Sequence, residues 1–170
     1  VIRYNEIYSD TEHYFNDAMG GGSNRSNSGF PVKDSDIYGN RISQVWDDGI
    51  ESEGGNMNVR IWGNFIDHTF VKIGIASTSL GPLYIWRNIA GRSRKKAADA
   101  NPNTYERGPF IKAGGIVYEG QWWGSGRMYV YHNTVLEEPS PSGAEFPLGS
   151  LGGVQAWGGQ VYNVITRNNI

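Results

Sequence analysis

The chain has 170 residues and a net charge of −2 at pH 7, with only 19% charged residues. That suits one domain with a real core and gives no global electrostatic reason to expect nucleic acid or a membrane surface as partner. Cysteine is absent, which excludes disulfides, thiol catalysis and thiolate metal sites, and no apolar run reaches the ~18 residues of a membrane span.

"VIRYNEI" (1–7) opens the chain as a short alternating strand, and "NDAM" (16–19) follows as a second. Residues 20–34, rich in Gly, Ser and Asn, read as an inserted surface loop. "DIYGNRI" (36–42) repeats the first pattern and leads into "SQVWDDGIESEGGN" (43–56), where Asp47, Asp48, Glu51 and Glu53 fall within seven residues. "VRIWGNFI" (59–66) and "KIGI" (72–75) form the next pair, then "LYIWRNIA" (83–90). A basic insertion over 91–110 separates this from "AGGI" (113–116), and "GQWWGSG" (120–126) is a Gly-bracketed aromatic loop. "MYVYHNTV" (128–135), a Pro-containing insertion over 137–150, "LGGV" (151–154) and "VITRNNI" (164–170) complete the chain. Both ends cut through the pattern, so the sequence reads as a segment of a longer protein, and no signal peptide is visible.

The repeated asparagines are Asn5, Asn40, Asn64, Asn88, Asn133 and Asn168, spaced by 35, 24, 24, 45 and 35 residues. Three residues before each stands Ile2, Ile37, Ile61, Ile85, Val130 or Ile165, and the next position is mostly aromatic. This is the period-2 alternation of a strand with one core face. Asn tolerates a left-handed bend, and stacked Asn can bond one another in a ladder. Two short strands per repeat and no helical pattern argue for a solenoid of parallel strands. A β-sandwich would require a hairpin signal at every junction.

These repeats resemble the right-handed parallel β-helix proteins, the large group that includes pectate lyases and polygalacturonases. The resemblance implies an all-β single domain over 1–170, a right-handed parallel β-helix of about six rungs. It also implies a secreted, extracellular or periplasmic setting and a polysaccharide or oligosaccharide partner, with no nucleic acid, no membrane insertion and the oligomeric state open.

If the second strands stack in order, Asn16-Asp17, Asp47-Asp48 and Lys72-Ile73 lie on successive rungs ~4.8 Å apart. Asp17 then stands beside Asp48, and Asp47 between Asn16 and Lys72. Like charges so close raise a carboxyl pKa and suit a general acid. The polygalacturonase stack is similar in its N-x-D and D-D rungs, but here Ile73 replaces its His and no R-I-K follows.

The hydrolase reading makes Asp48 the general acid, Asp47 the base or water-orienter and Asp17 the coupled partner, with no cofactor required. The lyase or uronan-epimerase reading makes Lys72 the base, Arg60 a uronate partner and calcium the cofactor, held by Asp47, Asp48, Glu51 and Glu53. A third reading is a non-catalytic binding or structural β-helix, in which "DDG" is a turn and Glu51 and Glu53 are solvated. Trp46, Trp157, Trp122 and Trp123 are candidates for sugar stacking. Trp62 and Trp86 read as a stacked outer wall. His68 is an auxiliary acid–base candidate, while His13, His68 and His132 lack zinc-site spacing.

Overall fold

The structure is a computed structural model that describes residues 1–10, 15–21, 24–93, 108–136, 153–156 and 160–170. Among these residues the chain is all-β, with no helix, and its strands are mostly parallel. It follows that no described helix is long and apolar enough to cross a membrane.

One six-stranded sheet contains β1 (Ile2–Arg3), β3 (Asp36–Tyr38), β5 (Val59–Trp62), β7 (Leu83–Trp86), β12 (Met128–Tyr131) and β15 (Val164–Arg167) in that spatial order. All its pairings are parallel. The second sheet is built on β2 (Glu6–Tyr8), β4 (Arg41–Glu51), β6 (Phe65–Ala76), β8 (Ile89–Ala90) and β13 (Thr134–Val135). There β9 (Ile111–Gly114) pairs with β6, and β14 (Val154–Ala156) pairs with β9. A separate antiparallel hairpin joins β10 (Ile116–Tyr118) to β11 (Gln121–Trp123).

The alternation predicted from the sequence is realised where aliphatic columns from both sheets meet in one buried cluster. Ile37, Ile61 and Ile85 are fully buried in the first sheet, and Ile42, Ile66 and Ala90 in the second. Along the outer face of the first sheet Tyr38, Trp62, Trp86 and Tyr131 stack ring on ring, with centroids 4.2, 5.7 and 6.0 Å apart.

Between the sheets runs the asparagine ladder. The side-chain amide of Asn40 donates to Asn64 Oδ1, Asn64 to Asn88, and Asn88 to Asn133, each at 3.0 Å. Each Oδ1 also accepts the backbone N–H of the preceding ladder residue. The ladder closes on Asn169 and not on Asn168. This corrects the sixth repeat by one residue: Val130 pairs with Thr166, and Ile165 faces outward at 37% exposure. The left-handed bend falls on the residue before each ladder Asn, at Tyr4, Gly39, Gly63, Arg87, His132 and Asn168. Asn168 therefore takes the bend and Asn169 the rung.

Candidate functional site

The acidic stretch of β4 does not end in solvent. A register shift between Val45 and Asp48 bends β4 against β6. Beyond it Ile50 lies opposite Ile73, and Glu51 opposite Gly74. Gly74 in turn lies opposite Lys112 on β9, and Lys112 opposite Gln155. Glu51, Gly74 and Lys112 thus form one cross-strand column. A Cβ on Gly74 would collide with the Asp48 carboxylate and stand 2.9 Å from Lys112 Cε. The missing side chain is what lets the Lys112 arm pass back over β6.

Lys112 Nζ donates to Asp48 Oδ2 at 2.5 Å and pairs with Glu53 Oε1 at 3.1 Å. The Asp48 and Glu53 side chains are 1% and 2% exposed, and Lys112 is 11% exposed. Glu53 Oε1 also accepts the Ala76 N–H at 3.1 Å. Glu51 Oε1 accepts from Asn24 Nδ2 at 3.2 Å. Oxygens of Asp48, Glu51 and Glu53 lie within 4.8 Å of one another, a cluster that could hold a metal ion. Asp48 Oδ1 and Glu53 Oε2 are buried with no hydrogen-bond partner among the described residues.

Burial pushes the Glu53 carboxyl up to about 7, with Lys112 opposing the rise. Burial likewise raises Asp48, against the attraction of Lys112. Glu51 is raised by its partial burial and by the neighbouring Asp17 charge. For Lys112, burial pulls downward, but Asp48 and Glu53 outweigh it and hold the ammonium above its ordinary range. Three carboxylates facing one ammonium favour retaining a proton on the acid pair.

Glu53 and Lys112 line a cleft of about 230 Å³ together with Asn24, Arg25, Ser77 and Ile116. One wall comes from the first insertion. Its residues Ser28 and Phe30 bond the backbone of Gly55 and Glu53, and Ser77 Oγ donates to the Asn24 carbonyl at 3.0 Å. Arg25 lies 4.7 Å over the ring of Tyr118, on the β10–β11 hairpin. The segment expected as an inserted surface loop therefore contributes to the site. A larger hollow of about 470 Å³ lies between Phe110, Val130, Val154 and Thr166 and includes no carboxylate among its lining residues.

The structure treats the sequence candidates unevenly. Asp17 does neighbour Asp48: its Oδ1 accepts the Asp48 N–H at 3.0 Å. Asp47 donates its N–H to the Asn16 carbonyl at 2.8 Å and is not a member of the three-acid cluster. Lys72 does not stand beside Asp47, because the third rung is displaced by two residues from the expected register. It is fully buried and donates to Ser93 Oγ. Between β6 and β9 the pairing differs from the expected register by a further three residues: Ile75 lies opposite Ala113 and not Ile116, and Ile111 joins the core column opposite Ile73. Glu53 is not the solvated strand charge of the third reading.

Arg60 lies on the other sheet in a bidentate pair with Asp36, 2.7 Å at both nitrogens. His68 bonds Asp67 at 2.8 Å, seven residues upstream of Gly74 in β6. Burial pushes Asp67 up, but the Arg92 N–H, His68 and the Arg92 guanidinium hold it below its usual range. Trp46 is half-buried, with its backbone N–H bonded to the Phe15 carbonyl at 3.1 Å. Trp122 and Trp123 sit on the hairpin that follows the cleft residues, and the Trp122 ring packs against Gly115 and Tyr162. Trp157, His13, most of the 91–110 insertion and the 137–150 insertion lie outside the described residues.

Sequence reasoning missed Lys112, Asn24 and Arg25. For Lys112 a signal existed: "FIKAG" places an aliphatic and then an outward residue as "VKIGIA" does. No protein-family model, curated protein or solved structure matches the chain.

Proposed function

We propose that the chain is a right-handed parallel β-helix of about six rungs that hydrolyses an extracellular polysaccharide. Two parallel sheets that share one core, and a ladder with one Asn per rung, support the solenoid reading. The observation that carries the activity is Glu53, a buried carboxyl at the cleft with an unpartnered Oε2 beside a second carboxylate.

In this reading Glu53 is the general acid and Glu51 the second carboxylate. Glu53 gives its proton to the glycosidic oxygen as the bond from that oxygen to the anomeric carbon breaks. Glu51 attacks the anomeric carbon and forms a glycosyl ester. Water then attacks the same carbon, loses its proton to the Glu53 carboxylate and displaces Glu51, which restores both groups. Carboxylates with oxygens within 4.8 Å stand nearer the ~5–5.5 Å separation of retaining enzymes than the wider inverting one. Asp48 acts through Lys112 as a positioning residue, since its own side chain is buried beneath that arm. The raised Lys112 ammonium is a poor base, which disfavours proton abstraction from a uronate at this site.

The test is reducing-sugar release from a panel of neutral and acidic polysaccharides, with Glu53→Gln and Glu51→Gln beside the unaltered chain. Both variants should lose about 100-fold or more in rate. Release that survives both substitutions would sink the assignment, and an unsaturated uronate product would replace hydrolysis with elimination.

A further inference from the structure

The resemblance to β-helix lyases implies calcium, and the acids to hold it are present, yet a cation from the chain itself already stands among them. We propose that the Lys112 ammonium is the resident cation of the Asp48–Glu51–Glu53 cluster, and that a hard divalent ion can enter only if Lys112 withdraws. The inference concerns cation occupancy alone and stands or falls apart from the hydrolase reading.

Geometry carries it. Lys112 Nζ contacts one oxygen of Asp48 and one of Glu53 at 2.5 and 3.1 Å. Those residues belong to the group whose oxygens lie within 4.8 Å of one another. Calcium takes six to eight oxygens at about 2.3–2.6 Å, and an ammonium bonded to two of the three acids obstructs that shell sterically and by like charge. The Lys112 arm reaches this position because Gly74 leaves its path open. The other oxygens, Asp48 Oδ1 and Glu53 Oε2, are buried and unpartnered among the described residues. They are the additional ligands a divalent ion would find once the arm had gone. A tethered ammonium and a metal ion are therefore alternative occupants of one cradle.

Calorimetric titration with calcium chloride would compare the unaltered chain with Lys112→Met and Lys112→Arg, each checked for an unchanged circular dichroism spectrum. Lys112→Met should bind calcium about 100-fold or more tighter than the unaltered chain, as expected on removing a like charge a few ångströms away. Lys112→Arg should remain as weak as the unaltered chain. Equal affinity in the unaltered chain and Lys112→Met would overturn the proposal. If Lys112→Met does not fold, the carboxyl carbon resonances of Asp48 and Glu53 in the unaltered chain decide the matter. Resonances that stay in place through millimolar calcium support a resident ammonium, and a saturable shift of both overturns it.

Discussion

Lys112 and Asp48, 64 residues apart in sequence, meet at 2.5 Å across the bare backbone of Gly74. The contact needs three adjacent strands: β4 supplies the acid, β6 the gap and β9 the base. Gly74→Ala should therefore act on the pair and not only on the strand. Its methyl group would meet the Asp48 carboxylate and the Lys112 arm, and forcing them apart should cost about 1–3 kcal/mol. Urea unfolding of the variant reads this directly. A midpoint equal to that of the unaltered chain would mean that the Lys112 arm has another route.

Glu53 gives the fold a pH dependence with a defined sign. An ordinary glutamate releases its proton near 4.5, whereas folded Glu53 holds it to about 7. Between those values the folded chain binds a proton that the unfolded chain has lost. The stabilising contribution is full below about 4.5 and is lost as pH rises through about 7. Asp48, also raised, adds in the same direction, and Lys112 stays charged throughout. Unfolding free energy measured at acidic and neutral pH should fall for the unaltered chain and fall less for Glu53→Gln. Identical slopes would place the proton elsewhere.

The ladder predicts a gradient along the stack. Asn64 is buried, accepts two bonds from Asn40 and donates to Asn88 Oδ1 and the Ile37 carbonyl. Asn64→Ala leaves buried donors and an acceptor unpaired, a cost of about 2–4 kcal/mol. Asn5 is exposed and donates to Asn40, and among the described residues no other ladder Asn donates to it. Asn5→Ala should cost about 1 kcal/mol or less. Thermal melts that rank the two variants equally would argue against a continuous ladder.

What the sequence disclosed depended on what anchored each strand. In the first sheet every strand ends near a ladder Asn, and three consecutive anchors are 24 residues apart, so the pairing of Ile37, Ile61 and Ile85 was legible. The second strands have no such anchor. Ile73 and Ile75 are both buried on the core side, and a slip of two residues preserves the face, whereas a slip of one would have betrayed itself. That ambiguity moved Lys72 toward the acids. Lys112 was hidden by a different slip, of three residues between β6 and β9, because Ile116 in "AGGI" offered a core aliphatic where Ala113 in fact lies opposite Ile75. The Asp17–Asp48 neighbourhood was legible because "NDAM" and "DDGI" do align, as Met19 opposite Ile50 shows. Adjacent Asn168 and Asn169 posed a smaller version of the problem, since either Asn suits a bend or a rung.

The walls differ in what they offer a ligand. Trp62 is stacked on both faces, against Tyr38 and Trp86, and has no ring face left for a sugar. Trp122, 36% exposed on the hairpin, does not share that constraint.

The ladder also has a direction. From Asn5 to Asn133 each Oδ1 that accepts a ladder bond faces the preceding rung, and each amide nitrogen donates to the next. The carbonyl dipoles consequently add along the stack instead of cancelling, with the negative pole toward Asn5 and the positive toward Asn169. A chain of aligned amides polarises its members cooperatively. The stack of strands thus carries an electrical polarity that formal charges do not create.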